Sequence, residues 1–384
     1  MIVHKLRMST KPKIYFPHLD GLRFFCFLFV FFFHSFYSEV PHIYHSFIFR
    51  FLKERLFHNG NLGVNAFFVL SGFLITYLLI KEKEWKNRID IPNFWIRRIL
   101  RIWPLYIVCV LFGFFIFPLA KSFAGGASAE TANLFYYLGF ASNFDYIQKG
   151  MPDSPGLGVL WSIAIEEQFY LVWPVVLSLF PIKKLWIPFA VIILGSWVFR
   201  ATHDVPIIHE MHTLSCIGDM AIGATGAWLL CILPAFVRWV QGLSRFSILL
   251  IYAAAAFIFL FRQDALITNY YTRIFERSFT AIVFLLIILE QCYAERSFFK
   301  MANLKTISSL GIITYGLYCT HFIIISAVTA MANKLGLNQH LWQVIILQPA
   351  LALGISIVLA KFSYKYFEFY FLKLKNRFAY ITKA

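Results

Sequence analysis

The sequence predicts an all-α, polytopic integral membrane protein of about ten transmembrane helices with both termini in the cytoplasm, and three observations lead there. First, 60% of the 384 residues are hydrophobic, 19% aromatic and only 14% charged. A soluble domain carries roughly 25% charged residues, because something must face water. Second, apolar stretches long enough to cross a bilayer recur along the whole chain, and mean hydropathy is +0.69. Third, Lys and Arg collect in alternate loops between those stretches. Together these exclude a large soluble domain.

A helix needs about 20 mostly apolar residues to cross the hydrocarbon layer. On that criterion the spans fall at 19–37, 62–80, 99–118, 157–180, 185–200, 213–233, 246–262, 275–293, 307–331 and 341–361. The stretch 132–147 is too short and polar to span, and reads as an interfacial or re-entrant piece on the outer side. The first span has no small-residue cleavage site behind it, so it reads as a retained helix rather than a signal peptide. The whole of 1–384 reads as one membrane-embedded domain, with a cytoplasmic tail at 1–18 and a basic cytoplasmic tail at 362–384. The inner segments hold 24 of the 35 Lys and Arg, and the alternation holds loop by loop, which sets both termini inside. The net charge of +16 therefore belongs to membrane loops facing a lipid bilayer, not to a nucleic-acid surface. Six cysteines without a CxxC pair fit neither a disulfide framework nor a thiolate metal site. No internal repeat suggests the inverted halves of a secondary transporter.

Ionisable residues inside spans are expensive and so are functional candidates. The first span carries Asp20, Arg23 and His34. Arg23 and His34 are eleven residues apart, three turns plus about 20°, so they share a helix face with an axial gap of about 16 Å. The alternative is a snorkelling arginine and a histidine bonded to a neighbouring helix. The fourth span carries Glu166-Glu167-Gln168 after Trp161 and Ser162. Counted from Gly156, Glu166 lies some 15 Å deep, at about the level of His34, where a carboxylate could orient an imidazole acting as general base. The ninth span aligns Tyr315, Tyr318 and His321 along one face. At the third span's inner entrance, Arg97, Arg98 and Arg101 form a cluster suited to a polyphosphate, or equally to a positive-inside anchor. Ser71 and Gly72 in the second span read as packing residues. His203, His209 and His212 share an outer loop, but their spacing is a weak metal signal, and no metal is expected.

Taken in order, His18-Leu19-Asp20-Gly21-Leu22-Arg23 continuing to His34, Gly63 to Ile75, Phe94 to Pro104, Leu160 to Pro174, and Leu310 to His321 resemble the membrane acyltransferase 3 family. That family O-acylates carbohydrates of the cell envelope. The resemblance implies a multi-pass protein of the inner (plasma) membrane that takes cytoplasmic acetyl-CoA, or another acyl-CoA, as donor. It implies a saccharide acceptor at the outer membrane face, such as exopolysaccharide or lipopolysaccharide. The family's arginine–histidine motif falls on Arg23 and His34, its Arg-x-x-Arg motif on Arg98 and Arg101, and its tryptophan-serine-glutamate motif on Trp161, Ser162 and Glu166. Asn65 stands where many members have Asp, and Cys319-Thr320 stand where a Leu-Trp pair is common. The chain ends about twenty residues after the last span, as in the stand-alone form without an extra C-terminal domain.

On this resemblance His34, Glu166, Arg23 and Asp20 are the expected catalytic group, with His34 as base or transient acyl carrier. Glu166 would orient His34 or the acceptor, and Asp20 would position Arg23. Arg98 and Arg101, with Arg97, would hold the CoA phosphates, and Trp161, Ser162, Tyr318 and His321 would meet the substrate. The alternative from another class is a carrier or flippase for a lipid-linked sugar, in which the same polar residues form a pathway.

Overall fold

The computed structural model describes residues 14–123 and 125–378. Ten long helices organise them: α1 (Pro17–Ser35), α2 (Leu62–Lys86), α3 (Ile91–Leu111), α4 (Trp161–Leu179), α5 (Trp186–Thr202), α6 (Thr213–Ile232), α7 (Arg245–Phe261), α8 (Tyr270–Tyr293), α9 (Thr314–Lys334) and α10 (Gln348–Ser363). Among the described residues there is no strand. Among the described residues nine helical segments are long and apolar enough to cross a membrane. α8 coincides with the expected span 275–293 but falls outside that set, because it carries Arg273, Glu276, Arg277 and Glu290. Side chains such as Leu171, Val198 and Val358 point outward from the bundle, as lipid-facing positions must.

Several helices differ from their sequence outlines. α3 runs on helically to Phe123, and α10 continues through 364–375 to Phe378. What reads as a basic tail from 362 is therefore helix as far as 378. Residues 369–375 of it pack on α3, and Arg97 Nη1 donates to Phe378 O at 2.9 Å. The outermost parts of both expected tails, 1–13 and 379–384, lie outside the described residues. The fourth and ninth spans are each broken near one end. A turn at Pro155–Gly158 precedes α4, and a helix at Lys305–Ile312 precedes α9. The stretch 132–147 forms two short helices, Leu134–Leu138 and Ser142–Lys149, that pack on α3 and α4 without crossing the bundle.

Close approach of small residues sets the centre of the bundle. α2 and α6 cross with Gly72 against the Met220 carbonyl and Gly223 against the Val69 carbonyl. A Cβ at either glycine would sit 2.0 Å from that oxygen. The Lys305–Ile312 helix meets α1 in the same way, since a Cβ on Gly311 would lie 1.8 Å from the Asp20 carbonyl. Such contacts let helix backbones touch where no hydrophobic force drives them together. Gly223→Val is therefore expected to destabilise the detergent-solubilised protein by at least the ~1–3 kcal/mol of an overpacked core. Thermal unfolding should show a clear drop in midpoint, while Gly354→Ala, where a Cβ meets nothing within 4 Å, leaves it unchanged.

Candidate active site

α4 carries a polar stripe. Ser162, Glu166 and Tyr170 are spaced i, i+4 and i+8, so they line one face of the helix at intervals of about 6 Å. Each is held by a neighbouring helix, and together they span the depth between two clusters at opposite ends of α1.

The first cluster lies at the C-terminal end of α1. His34 Nδ1 sits 2.9 Å from the Val30 carbonyl and 3.3 Å from His321 Nε2. His321 Nδ1 sits 2.7 Å from the Tyr318 carbonyl. A carbonyl only accepts, so both Nδ1 atoms carry the proton in the neutral rings. His321 Nε2 then accepts from His34, and His34 Nε2 is left with a free lone pair. Aromatic rings frame the pair, with Phe322 4.6 Å from His34 and Phe27 edge-on 5.6 Å from His321. Tyr318 continues the chain to α4 through a 2.6 Å hydrogen bond between its hydroxyl and Ser162 Oγ. Trp161 beside it packs edge-on to Phe68.

Glu166 lies one turn further along α4, and it does not touch His34. Ser71 Oγ donates to its Oε1 at 2.8 Å, and the Tyr170 hydroxyl donates to its Oε2 at 3.1 Å. A helix starting at Gly156 would put Glu166 at the level of His34. The helix begins only at Trp161, after the break at 159–160, so Ser162 takes the level of His34. The partner on the His34 ring is His321. Ser71, read from sequence as a packing residue, is instead a ligand of Glu166. Glu167 points elsewhere and accepts from Trp103 Nε1 at 2.8 Å.

The second cluster gathers Arg23, Arg98 and Arg101. Arg98 stacks between the rings of Phe94 and Tyr170, 5.4 Å from each centroid. Its buried Nε has no hydrogen-bond partner. Arg23 is held by Asp20 at 2.5 Å, and the Tyr15 hydroxyl donates to the other Asp20 oxygen at 2.7 Å. Arg23 and Arg101 lie within electrostatic range of each other, and both Arg98 and Arg23 act on Glu166. Neither Arg98 nor Arg101 makes an ion pair among the described residues, whereas Arg97 is paired with Glu82 at 3.3 Å and anchors the C-terminal helix. The structure thus groups Arg23 with the arginine cluster rather than with His34. Along a straight α1 the two sites are about 16 Å apart.

A further polar network escaped the sequence reading. Arg277 on α8 pairs with Asp219 on α6 at 2.6 Å, and Asn65 on α2 donates to the same Asp219 oxygen at 3.3 Å. Arg262 bridges Glu276 at 2.6 Å and Glu210 at 2.9 Å. The signal was present as single charges in the spans 213–233 and 275–293, but no spacing rule pairs residues on different helices. Asn65 joins the network as a neutral donor to Asp219. The three outer-loop histidines are placed by packing. Phe199 stacks on both His203 and His212, and His209 Nε2 donates to the Arg200 carbonyl at 3.1 Å. Among the described residues no group of three or more His, Cys, Asp or Glu could hold a metal ion.

Comparison with known proteins bears on the chemistry of this arrangement. The family described as Acyltransferase domain (acyltransferase 3) matches residues 16–361. The chain belongs to the acyltransferase 3 family. Among its relatives is the peptidoglycan O-acetyltransferase OatA of Listeria monocytogenes, 27% identical over 94% of this chain and 56% of that protein. The O-acetyltransferase OatA of Staphylococcus aureus strain NCTC 8325 is 35% identical over 45% of this chain and 26% of its own length. The chain thus spans about half the length of the first of these relatives. No solved structure matches. The family match covers α4 and both clusters apart from Tyr15.

The Arg277–Asp219 pair is expected to be structural. Asp219→Ala strands a buried guanidinium and should cost about 3–5 kcal/mol in unfolding free energy. Removing both charges in Asp219→Ala/Arg277→Met should recover most of that loss, read as unfolding midpoint in detergent.

Proposed function

We propose that this chain is an inner-membrane O-acetyltransferase that moves an acetyl group from cytoplasmic acetyl-CoA to a hydroxyl of an envelope saccharide at the outer face. The observation that carries this reading is the polar stripe along α4, with the arginine cluster at one end and the histidine pair at the other. It runs from two arginines without ion pairs among the described residues, past Tyr170, Glu166 and Ser162, to an imidazole with a free Nε2 lone pair. An enzyme that joins a polyphosphate donor on one side to a hydroxyl on the other needs both ends and a passage between them.

In this reading Arg98 and Arg101 hold the CoA phosphates, because guanidinium forks bind phosphate oxygens with two bonds at once. Asp20 fixes Arg23 beside them. The pantetheine arm runs along α1 toward His34. His34 Nε2 takes the proton of the acceptor hydroxyl as its oxygen attacks the thioester carbonyl, and the departing CoA sulfur receives that proton as the C–S bond breaks. His321 holds the His34 tautomer, so that Nε2 rather than Nδ1 is the base. The acceptor belongs to envelope carbohydrate. The relatives' names favour peptidoglycan within that class. The loop charge bias supports both termini in the cytoplasm, which puts the arginines at the inner face and His34 at the outer one.

The test is labelled acetyl transfer from acetyl-CoA into envelope carbohydrate by membranes bearing the intact protein or His34→Ala at matched expression. Loss of a general base should lower the rate by about 10²–10⁴-fold. Label retained by His34→Ala would remove that histidine from catalysis. No label from the intact protein, with saccharide export preserved, would favour the carrier. Arg98→Gln and Arg101→Gln should each raise KM for acetyl-CoA about tenfold, since one charge-assisted hydrogen bond is worth roughly 1.5–3 kcal/mol. His321→Ala should lower kcat about fivefold, as loss of a net hydrogen bond of about 1 kcal/mol implies. The KM for acetyl-CoA should stay unchanged, and His321→Gln, whose amide oxygen can accept from His34, should restore much of the rate.

A further inference from the structure

On the same face of the bundle as His34, a pocket of about 350 Å³ opens among the loops that join α5 to α6 and α7 to α8. This lies at the lower end of the size range of small-molecule sites, roughly 300–1,000 Å³. Its charged and titratable lining is Asp204, His209, Glu210, Arg262, Arg273 and Glu276. The lining is preorganised. Arg273 holds Asp204 through two nitrogens, at 2.9 and 2.5 Å, and Arg262 bridges Glu210 and Glu276.

The protonation states follow from these contacts. Hydrogen bonding to Arg273 holds the Asp204 carboxyl below the usual carboxylate range. Burial would raise the Glu210 carboxyl, but the Arg262 and Arg277 guanidiniums outweigh it and hold it low. Burial pushes His209 down, so its ring is neutral near pH 7. Three carboxylates thus face two guanidiniums in the wall, with Arg277 behind Glu210. The pocket has little net charge and cannot select an ion. It offers alternating fixed acceptors and donors at close range, which matches a ligand whose every group both donates and accepts, a polyhydroxyl ring.

The pocket is tied to the candidate active site by one loop. Asn61 Nδ2 donates to Glu210 at 2.7 Å. The next residue back, Gly60, packs against the last turns of α1, where a Cβ would lie 2.3 Å from the Phe29 carbonyl and 2.6 Å from the Phe33 Cβ. His34 follows Phe33 directly. A polymer presenting one hydroxyl to His34 would therefore pass over this loop to reach the pocket.

We propose that this pocket is a subsite for the neutral saccharide chain of the acceptor, holding rings next to the one that is acylated. The proposal rests on the acceptor being a carbohydrate, as argued above. The test uses the full chain in detergent, with the β-1,4-linked tetramer of N-acetylglucosamine and maltotetraose as probes, and isothermal titration calorimetry as readout. The intact protein should bind at least one of them. Asp204→Asn and Arg273→Gln, both at the pocket rim, should each weaken that binding at least fivefold. In acetyl transfer to the bound tetramer, KM for the saccharide should rise by the same factor while KM for acetyl-CoA does not. Should one rim variant fail to fold, the other and Glu210→Gln decide by the same readouts. Binding by neither probe, or equal binding by intact protein and variants, overturns the subsite. Binding that is sensitive to the rim variants without any acetyl transfer from acetyl-CoA leaves the subsite standing and removes the proposed function instead.

Discussion

The arrangement depends on one constraint: a polar group inside an apolar bundle must find its partner within the protein. α4 shows how that constraint builds a fold. Ser162 is satisfied from α9, Glu166 from α2, and Tyr170 by Ser71 on α2 and by the guanidinium of Arg98 on α3. Each rung of the stripe fixes the depth and rotation of another helix against α4. Hydrophobic packing alone would not do this, because lipid is as good a partner for Phe or Leu as another helix is. The close crossings at Gly72, Gly223 and Gly311 then hold α2, α6 and α1 at the distance the hydrogen bonds require.

The same constraint separates structural charges from functional ones. Arg277 and Asp219 neutralise each other as an ion pair, and Asn65 donates to the same Asp219 oxygen. Arg98 and Arg101 differ from Arg277 in that neither has an ion-pair partner among the described residues. Stacking on two aromatic rings offsets part of the cost of burying Arg98 without consuming its hydrogen-bond donors. A guanidinium kept charged and poor in hydrogen bonds inside a protein is suited to an anion that arrives from outside.

The spans were legible in the sequence because length and hydropathy suffice to define them, and even the charged α8 kept enough apolar positions to be seen. The shared face of Arg23 and His34 was legible as well, because it follows from one helix. What could not be read was which helices meet. Depth arguments place residues along an axis and say nothing of rotation, so His321 was seen at the right level without its contact to His34. Glu166 was placed one turn from its true position because the break at 159–160 carries no strong sequence signal, with no proline or charge at the break itself. Tyr170 was visible at i+4 from Glu166, but an aromatic in an apolar helix carries no mark of function until Arg98 is found stacked on it. The Asp219–Arg277 pair required two spans to be matched, which a single sequence does not supply.

The pairing of His34 with a second histidine rather than a carboxylate has its own logic. A carboxylate beside His34 would orient the ring equally well, yet it would bury a full charge at a point where no arginine lies within reach to balance it. The two carboxylates of α4 sit instead one turn deeper, where the charges of Arg98 and Arg23 reach Glu166 and that of Arg98 reaches Glu167. A neutral imidazole fixes the tautomer of its neighbour through one hydrogen bond and adds no ion to the bundle. The charge at the histidine pair would then be the one created when His34 Nε2 takes a proton, and it would be discharged as soon as the proton moved on. The separation of charge between the two ends of α1 thus follows from what each end is asked to hold: a permanent anion at the arginines, and a transient proton at the histidines.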